Sequence, residues 1–141
     1  MGLEENKAVV QRLFDAINNG RLDQLPQVAA PDVVDHNAVI FMQPEGPGGV
    51  EEGVRMLLVG FPDLQLTTQE LLAEGDQVVA RFTTSGTNTG DYRGLPAPTG
   101  QHFESEAIAI LRIADGRVAE LRGTADRLGM LTQLGILPDL G

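Results

Sequence analysis

The apolar positions near the N-terminus follow a helical period. Between residues 9 and 17 they recur three or four positions apart, as one face of an amphipathic helix requires; they are Val9, Val10, Leu13, Phe14 and Ile17. Residues 18–20 (NNG) predict the end of this helix because they tolerate left-handed backbone angles. A shorter helix, capped by Asp23 and stopped by Pro31, is predicted next, and a third covers residues 50–61.

Beyond Pro62 the apolar period changes to that of extended strands. Glu74-Gly75-Asp76 and Asp115-Gly116 predict tight turns, and Asp126 opens a last helix that ends before Gly135. Helices followed by hairpin-connected strands predict an α+β fold with an antiparallel sheet, in a single domain over residues 1–141. The predicted strands cover residues 33–38, 64–69, 77–87, 102–113 and 117–124.

A curved sheet with helices across its concave face encloses a pocket, which is the usual binding site in such an arrangement. The strand over residues 102–113 has two faces. One face carries Glu104, Glu106, Ile108, Ile110 and Arg112, and the other carries Phe103, Ser105, Ala107, Ala109, Leu111 and Ile113. The first face changes from acidic through apolar to basic side chains. This gradient predicts a path from the mouth of the pocket to its floor, with Ile110 and Arg112 as pocket residues.

The composition excludes several classes of function. The 141 residues carry a net charge of -10 and no cysteine. The negative charge repels phosphate backbones and anionic lipids, so neither a nucleic acid nor a membrane is an expected partner. The lack of cysteine excludes thiol catalysis and thiolate metal sites, and it fits a cytoplasmic protein. The apolar runs are much shorter than a bilayer span, and the N-terminus does not have the pattern of a secretory signal.

Short motifs occur in order along nearly the whole chain. They read DHN (35–37), FPDL (61–64), GDQVVAR (75–81), GTNTG (86–90), GLP (94–96), PTG (98–100), ADGRV (114–118), DRLG (126–129) and QLG (133–135). Their order and spacing resemble the SnoaL-like polyketide cyclases, a family of the nuclear transport factor 2-like superfamily. No single motif is decisive, whereas their succession is specific.

The resemblance implies both a fold and a chemistry. The fold is a cone-shaped, curved antiparallel sheet around an apolar pocket beneath N-terminal helices. Members related to SnoaL close a polyketide ring by an intramolecular aldol reaction, without metal or organic cofactor. Their catalytic acid/base is the Asp of an Asp-x-Leu-Gly motif, which corresponds to Asp126 here. Asn88 replaces a common His, and Leu121 and Arg122 replace a His-Trp pair, so the resemblance does not identify the substrate.

Asp126 has two interpretations. As an acid/base, its carboxylate takes a proton from the carbon beside a carbonyl group and later returns it to the new hydroxyl. As the first residue of the last helix, it is an N-cap whose carboxylate accepts hydrogen bonds from backbone N–H groups. The residues alone favour the cap because helix caps are common, and the resemblance favours the catalytic role.

Three further residues are candidates for the catalytic group that stabilises an enolate: His36, Arg112 and Arg122. Arg122 shares strand parity with Asp126 and either holds that carboxylate or lies at the surface. Arg112 is alternatively part of a structural ion pair, and His36 a structural histidine bonded to the backbone. Adjacent residues such as Asp35 and His36 point to opposite strand faces. With only 2 histidines and no cysteine, no metal site is expected.

The candidate substrate contacts are mostly large apolar side chains, and for most of them ordinary core packing is the alternative. Tyr92 differs because it lies in a Gly- and Pro-rich loop, where a lid over the pocket is expected. The residues expected to line the pocket are Phe14, Phe41, Met56, Phe61, Phe82, Asn88, Tyr92 and Ile110.

Together these observations predict a cofactor-independent cyclase, of the isomerase or lyase type, for a small to medium hydrophobic carbonyl compound. The most concrete version is an aldol ring closure of a polyketide or related ester. One alternative is an epoxide hydrolase in which Asp126, an arginine and a second acid activate water, the candidates being Arg112, Arg122, Glu104, Glu106 and Glu120. Another is a binding domain without catalysis. An apolar outer sheet face predicts a homodimer.

Overall fold

The helices and strands occur in the predicted order. This computed structural model describes residues 2–38, 40, 42–92 and 94–138. The helices are α1 (Leu3–Asn18), α2 (Leu25–Val28, after a 3₁₀ turn at Leu22–Gln24), α3 (Gly49–Gly60) and α4 (Arg127–Gln133). The strands are β1 (Ala29–Asp35), β2 (Gln65–Glu74), β3 (Gln77–Thr87), β4 (His102–Ala114) and β5 (Arg117–Ala125).

The strands form one mixed sheet in the order β1-β5-β4-β3-β2. The pairings from β2 to β5 are antiparallel, whereas β1 runs parallel to β5. The predicted α+β class is therefore confirmed, and the prediction of a wholly antiparallel sheet is wrong at one edge. Register shifts in the β2–β3 and β4–β5 pairings mark irregularities of the kind that bend and twist a sheet, and this sheet is curved.

The largest difference from the sequence prediction is at β1. The sequence predicts a helix that continues to Pro31 and a strand over residues 33–38, whereas α2 ends at Val28 and β1 begins at Ala29. Proline has no backbone N–H to donate to a neighbouring strand. Because Pro31 is exposed and lies in an edge strand, this lack costs no hydrogen bond inside the sheet. Asp23 is not a cap, because its carboxylate pairs with Arg21 at 2.9 Å.

The helices cover one face of the sheet, here called the inner face, and the opposite or outer face is exposed. Along β4 the inner-face residues Ala107, Ala109 and Leu111 are buried, whereas Ile108 and Ile110 on the outer face are 45% and 37% exposed. The face of β4 that mixes acidic, apolar and basic side chains is therefore the outer face. The prediction that this face leads into a pocket is wrong, because burial selects the uniformly apolar face.

Asn18 fastens the end of α1 to the beginning of β2. Its Oδ1 accepts a hydrogen bond from the Leu66 backbone N–H at 2.7 Å, and its Nδ2 donates to the Leu66 carbonyl at 2.9 Å. The side-chain amide thus satisfies both backbone groups of one strand residue. This contact holds α1 across the inner face, where Val9 and Val10 are fully buried.

Candidate functional site

A cavity of about 140 Å³ lies between the inner face of the sheet and helices α1 and α3. Its walls come from every strand, both of these helices, the start of α4 and the segment between β1 and α3. The lining is apolar apart from Asp35, Gln43, Thr84 and Ser105. A mostly apolar hollow with a few polar groups is the usual form of a small-molecule site.

Asp35 is the one charged residue among the described residues that line this cavity. Its Oδ2 accepts a hydrogen bond from Gln43 Nε2 at 2.8 Å. Its Oδ1 is buried and has no hydrogen-bond partner among the described residues. Burial raises the pKa of the Asp35 carboxyl, and this effect exceeds the opposing ones of the Gln43 hydrogen bond, of the Asn37 backbone N–H and of the charges on His36 and Arg127.

Two hydroxyl groups form a second polar position in the cavity. Thr84 of β3 and Ser105 of β4 are directly opposite each other in the antiparallel register, and both line the cavity. Neighbouring hydroxyls can each donate and accept a hydrogen bond. Together with Asp35 and Gln43 they give the apolar hollow two separate places at which oxygen atoms of a ligand can be bound.

Asp126 is not among the residues that line the cavity, although Ala125 before it and Met130 four positions after it are. The side chain is exposed, and its Oδ1 accepts a hydrogen bond from the Gly129 backbone N–H at 2.8 Å. A Cβ atom on Gly129 would collide with the Asp126 carboxylate, so glycine at this position leaves room for that group. The interpretation as the N-cap of α4 is confirmed, and a role in proton transfer stays a prediction.

His36 and Arg112 meet on the outer side of the sheet, where both contact Glu120. His36 Nε2 lies 2.6 Å from Glu120 Oε2, and Arg112 Nε donates to Glu120 Oε1 at 2.5 Å. The hydrogen bond from His36, followed by that from Arg112, lowers the pKa of Glu120. Neither His36 nor Arg112 lines the cavity, and their role beside an enolate stays a prediction. Strand alternation directs them away from the cavity.

Ile110 and Arg122 are also on the outer face, where they are paired across β4 and β5. Both are exposed, and neither lines the cavity. Their expected pocket positions are therefore wrong for the same reason of strand parity. Glu106 is on this face as well, in an ion pair with Arg81 at 3.2 Å. Since the described cavity lining contains no arginine, the Asp–Arg–acid arrangement expected of an epoxide hydrolase is not assembled there.

The predicted aromatic contacts fall into two groups. Phe14 and Phe82 line the cavity as expected, with their ring centroids 4.8 Å apart. Phe61 is fully buried in the core with its ring centroid 5.8 Å from that of Tyr92, and neither lines the cavity. Met56 and Tyr92 instead line a separate groove on the surface beside α3. Phe61, Met56 and Tyr92 are therefore not part of the cavity lining, and their contact with a substrate stays a prediction.

Asn88 has a structural position rather than one in the cavity. Its Nδ2 donates to the carbonyls of Gly60 and Gly90 at 3.3 and 3.0 Å, and its Oδ1 accepts from the Thr99 N–H at 3.1 Å. These bonds tie both ends of the Gly- and Pro-rich loop to the end of α3. Asn88 does not line the cavity, and its contact with a substrate stays a prediction. Phe41, the remaining prediction, lies outside the described residues.

The sequence reasoning did not assign a role to the polar residues that line the cavity: Asp35, Gln43, Thr84 and Ser105. One signal for Asp35 was present, because neighbouring strand residues face opposite ways and a solvent-facing His36 therefore directs Asp35 inward. His36 contacts Glu120 on the outer side. The two residues are 84 positions apart in the chain, so a local sequence pattern could not predict this contact.

No group of three histidine, aspartate or glutamate side chains among the described residues is placed to hold a metal ion. None of the described helices has both the length and the apolar character needed to cross a membrane.

Comparison with known proteins identifies the family of this chain. The sequence profile of the SnoaL-like polyketide cyclases matches residues 7–134. The aklanonic acid methyl ester cyclase DnrD of Streptomyces peucetius is 30% identical over 133 residues, which cover 90% of this chain and 88% of that protein. The cyclase of the same description from Streptomyces sp. strain C5, DauD, is 31% identical over 134 residues, covering 90% and 80%.

Solved structures agree with the sequence matches. The structure of TsrD from Streptomyces laurentii has a TM-score of 0.85 and 31% sequence identity, and the alignment covers 97% of this chain and 99% of that chain. Since the family profile and these relatives each match most of the chain, with the curved sheet and helix-covered cavity described above, the chain belongs to the SnoaL-like polyketide cyclase family, which has the nuclear transport factor 2-like fold.

Proposed function

We propose that this protein closes a ring in a polyketide-derived ester by an intramolecular aldol reaction inside the cavity. The observation that carries the proposal is the apolar hollow on the inner face, with its few polar groups, in a chain whose relatives include aklanonic acid methyl ester cyclases. An apolar hollow with a few polar groups binds a largely apolar ligand whose few oxygen atoms meet those groups.

The reaction needs a base, a stabilised enolate and an acid. The base takes a proton from the carbon beside one carbonyl, and the electron pair of the broken C–H bond forms the enolate. The enolate carbon then bonds to a second carbonyl carbon of the same molecule, and the resulting alkoxide takes up a proton. Because no proton or electron is gained or lost overall, the proposed reaction is balanced without a cofactor. A cavity that holds both carbonyls close together favours ring closure.

Asp126 is the proposed acid/base. The family's Asp-x-Leu-Gly motif supports the assignment, as does its position between two cavity-lining residues, Ala125 and Met130. Its Oδ1 is occupied by the Gly129 N–H, so Oδ2 is the oxygen proposed to exchange the proton. The space left by the missing side chain of Gly129 accommodates this carboxylate.

Hydroxyl groups of the inner face are proposed to orient the substrate. Thr84 and Ser105 face the cavity side by side, and each can donate a hydrogen bond to a carbonyl oxygen. Because β5 separates the edge strand β1 from β4 and β3, these hydroxyls give the ligand a point of attachment apart from Asp35. Two attachment points fix the ligand's orientation, which an apolar surface alone does not do.

The test compares Asp126→Asn with Asp126→Ala, using aklanonic acid methyl ester as substrate and chromatographic separation of open and ring-closed forms. Asparagine is as good an N-cap as aspartate, whereas alanine costs about 1 kcal/mol of stability. We expect both variants to lose ~100-fold or more in kcat, because both lack the acid/base, and only the alanine variant to unfold at lower urea.

An Asp126→Asn protein that turns over within a few-fold of the wild type would show that Asp126 is only a cap. If the wild type binds the ester and leaves it unchanged, as shown by native mass spectrometry followed by chromatography of the released ligand, the chain is a binding domain and the proposed function is wrong.

We also infer that the outer face pairs with a second copy of the chain. Leu72, Val79 and Ile110 form one cross-strand row there, and Leu72 is 56% exposed. Apolar side chains grouped on an exposed sheet face are typical of protein interfaces. Light scattering coupled to size-exclusion chromatography at micromolar concentration is expected to show a dimer, and a monomer alone would contradict the inference.

A further inference from the structure

The cavity contains the carboxyl group of Asp35, which has no part in the proton transfers proposed for Asp126. Asp35 lies at the end of β1, and its Oδ1 is buried without a hydrogen-bond partner among the described residues. Native proteins leave few buried polar atoms unpaired, and each such atom calls for an explanation. A ligand oxygen bound in the cavity explains this one, because it supplies the missing partner.

The rest of the Asp35 side chain is held in place. Oδ2 accepts the hydrogen bond from Gln43 Nε2 at 2.8 Å, so Oδ1 is the oxygen that has no hydrogen bond of its own among the described residues. The backbone that follows is fixed to β5, since the His36 N–H donates to the Leu121 carbonyl at 2.9 Å and the Asn37 side chain bonds both backbone groups of Gly123. A group oriented in advance loses little freedom when a ligand binds, which favours catalysis.

We propose that Asp35 is a second catalytic residue, whose protonated Oδ1 donates a hydrogen bond to the carbonyl oxygen of the substrate that becomes the enolate. This role rests on the proposed function, and it leaves the proton abstracted from carbon to Asp126. No atom is transferred to or from Asp35. The C–H proton goes to Asp126, the enolate forms its C–C bond, and Asp126 returns the proton to the alkoxide.

The surroundings of the two carboxyl groups suit this division of roles. Burial raises the pKa of Asp35 and so favours its protonated form, whereas Asp126 is exposed at the end of the sheet. Carboxyl groups in different environments are a known way to provide an acid and a base in one site. The charges that act on Asp35 are those of His36, directly after β1, and of Arg127 in α4, and both oppose the effect of burial.

The kinetic test uses Asp35→Leu, which removes the donor, and Asp35→Asn, whose side-chain N–H₂ still donates. Asp32→Asn is the matched control, because Asp32 is an exposed acid in the same strand. We expect Asp35→Leu to lose ~100-fold or more in kcat, as when one donor to a developing oxyanion is removed. Asp35→Asn is expected to retain most of the activity and to lose the fall in kcat at high pH, which the wild type and Asp32→Asn both show.

Two kinetic results would overturn the proposal. If Asp35→Asn is as inactive as Asp35→Leu, Asp35 acts as a base and not as a donor. If both variants match the wild type in kcat and in pH profile, Asp35 does not touch the reacting atoms.

A binding test separates this proposal from the proposed function, since it needs no turnover. The probe is 1-naphthol, whose phenol oxygen imitates that of an enolate. We expect Asp35→Leu to bind it at least tenfold more weakly than the wild type, with Asp35→Asn close to the wild type. The ¹³C signal of the Asp35 carboxyl is expected to shift on binding. Equal affinities of all three proteins with no shift would overturn the role of Asp35, whether or not the wild type cyclises any ester.

Discussion

Asp35 and His36 are neighbours in sequence, yet they lie on opposite sides of the sheet and have different hydrogen-bond partners. Asp35 faces the apolar cavity, with one oxygen bound by Gln43 and the other unpaired. His36 lies on the outer side against Glu120, which Arg112 contacts as well. On the outer side, His36 and Arg112 both pair with Glu120 and have access to water. On the inner side, Asp35 has no ion pair among the described residues, and burial is the main influence on its pKa.

The difference between these two residues indicates which face of the sheet carries the chemistry. Charged residues are numerous on the outer face, where they form ion pairs such as Arg81–Glu106, and exposed pairs of this kind contribute little to stability. The inner face has a single charged residue among those described as cavity lining. We therefore assign chemistry to the inner face and assembly to the outer face, and paired substitutions on the two faces can test this assignment.

The largest expected effect comes from filling the cavity. Ala109 on the inner face and Ile108 on the outer face are adjacent in β4. Ala109→Phe places a ring where the substrate is proposed to bind, and we expect kcat/KM for the ester to fall ~100-fold or more, as for substrates displaced from their productive position. Ile108→Phe is the control and is expected to stay within about twofold of the wild type. Equal effects of the two substitutions would contradict the assignment of chemistry to the inner face.

A second large effect concerns stability. Phe82 is 6% exposed and packs against Phe14, so Phe82→Ala is expected to lower the free energy of unfolding by about 3–5 kcal/mol. Leu72→Ala on the outer face removes a side chain that is 56% exposed, and its effect on the monomer is expected within ~0.5 kcal/mol. Urea unfolding monitored by circular dichroism measures both. A small loss for Phe82→Ala would mean that its ring is not part of the packed core.

A smaller effect is expected in the pH dependence of stability. Because the pKa of Asp35 is raised by burial, the folded state binds its proton more tightly than the unfolded state does, and stability falls as pH rises from the ordinary aspartate value through the raised one. Asp35→Asn lacks this fall. The free energy of unfolding of the variant relative to the wild type is therefore expected to increase between acid and neutral pH. A difference that is constant over this range would show that Asp35 is not desolvated.

The smallest effect, of opposite sign, is expected for Glu120→Gln. Since the hydrogen bond from His36 lowers the pKa of Glu120, the wild-type advantage is present above the ordinary glutamate value and disappears as pH falls through the lowered one. The variant is expected to be slightly less stable than the wild type at neutral pH and equal to it in acid, with unchanged turnover of the ester. Loss of turnover would indicate that the outer cluster contributes to catalysis.

Much of the sheet could be predicted because its signals are local. The alternation that predicts a strand over residues 77–87 coincides with β3, Gln77–Thr87. The predicted turn at Asp115-Gly116 is confirmed, with both residues at positive φ, 54° and 76°. A turn and two alternating segments are sufficient to define a hairpin, and neither requires information from distant residues.

The segment around β1 could not be predicted in the same way, because its conformation depends on a distant strand. Pro31 is a local signal for the end of a helix, but pairing of Ala29 with Val118 extends the backbone before the proline is reached. The register then shifts before Val34 pairs with Glu120. Tertiary pairing of this kind overrides local propensity.

The candidate site was predicted only in part for the same physical reason. Phe14 and Phe82 are recognisable as large apolar residues of the correct periodicity, and both line the cavity. The inner face of β4 is the face on which the helices pack. The sequence alone could not identify it, because Ile108 and Ile110 are apolar and yet lie exposed on the outer face. Gln43 comes from a Gly- and Pro-rich segment without periodicity, so its contact with Asp35 is visible only in the folded chain.

A crystal structure of the protein with a bound ring-closed product would show directly whether ring closure takes place on the inner face. We expect the ligand in the cavity against the packed rings of Phe14 and Phe82, with one of its oxygens at ~2.5–3.0 Å from Asp35 Oδ1. A product molecule found only in the groove lined by Met56 and Tyr92, or on the outer side beside His36, would contradict this expectation.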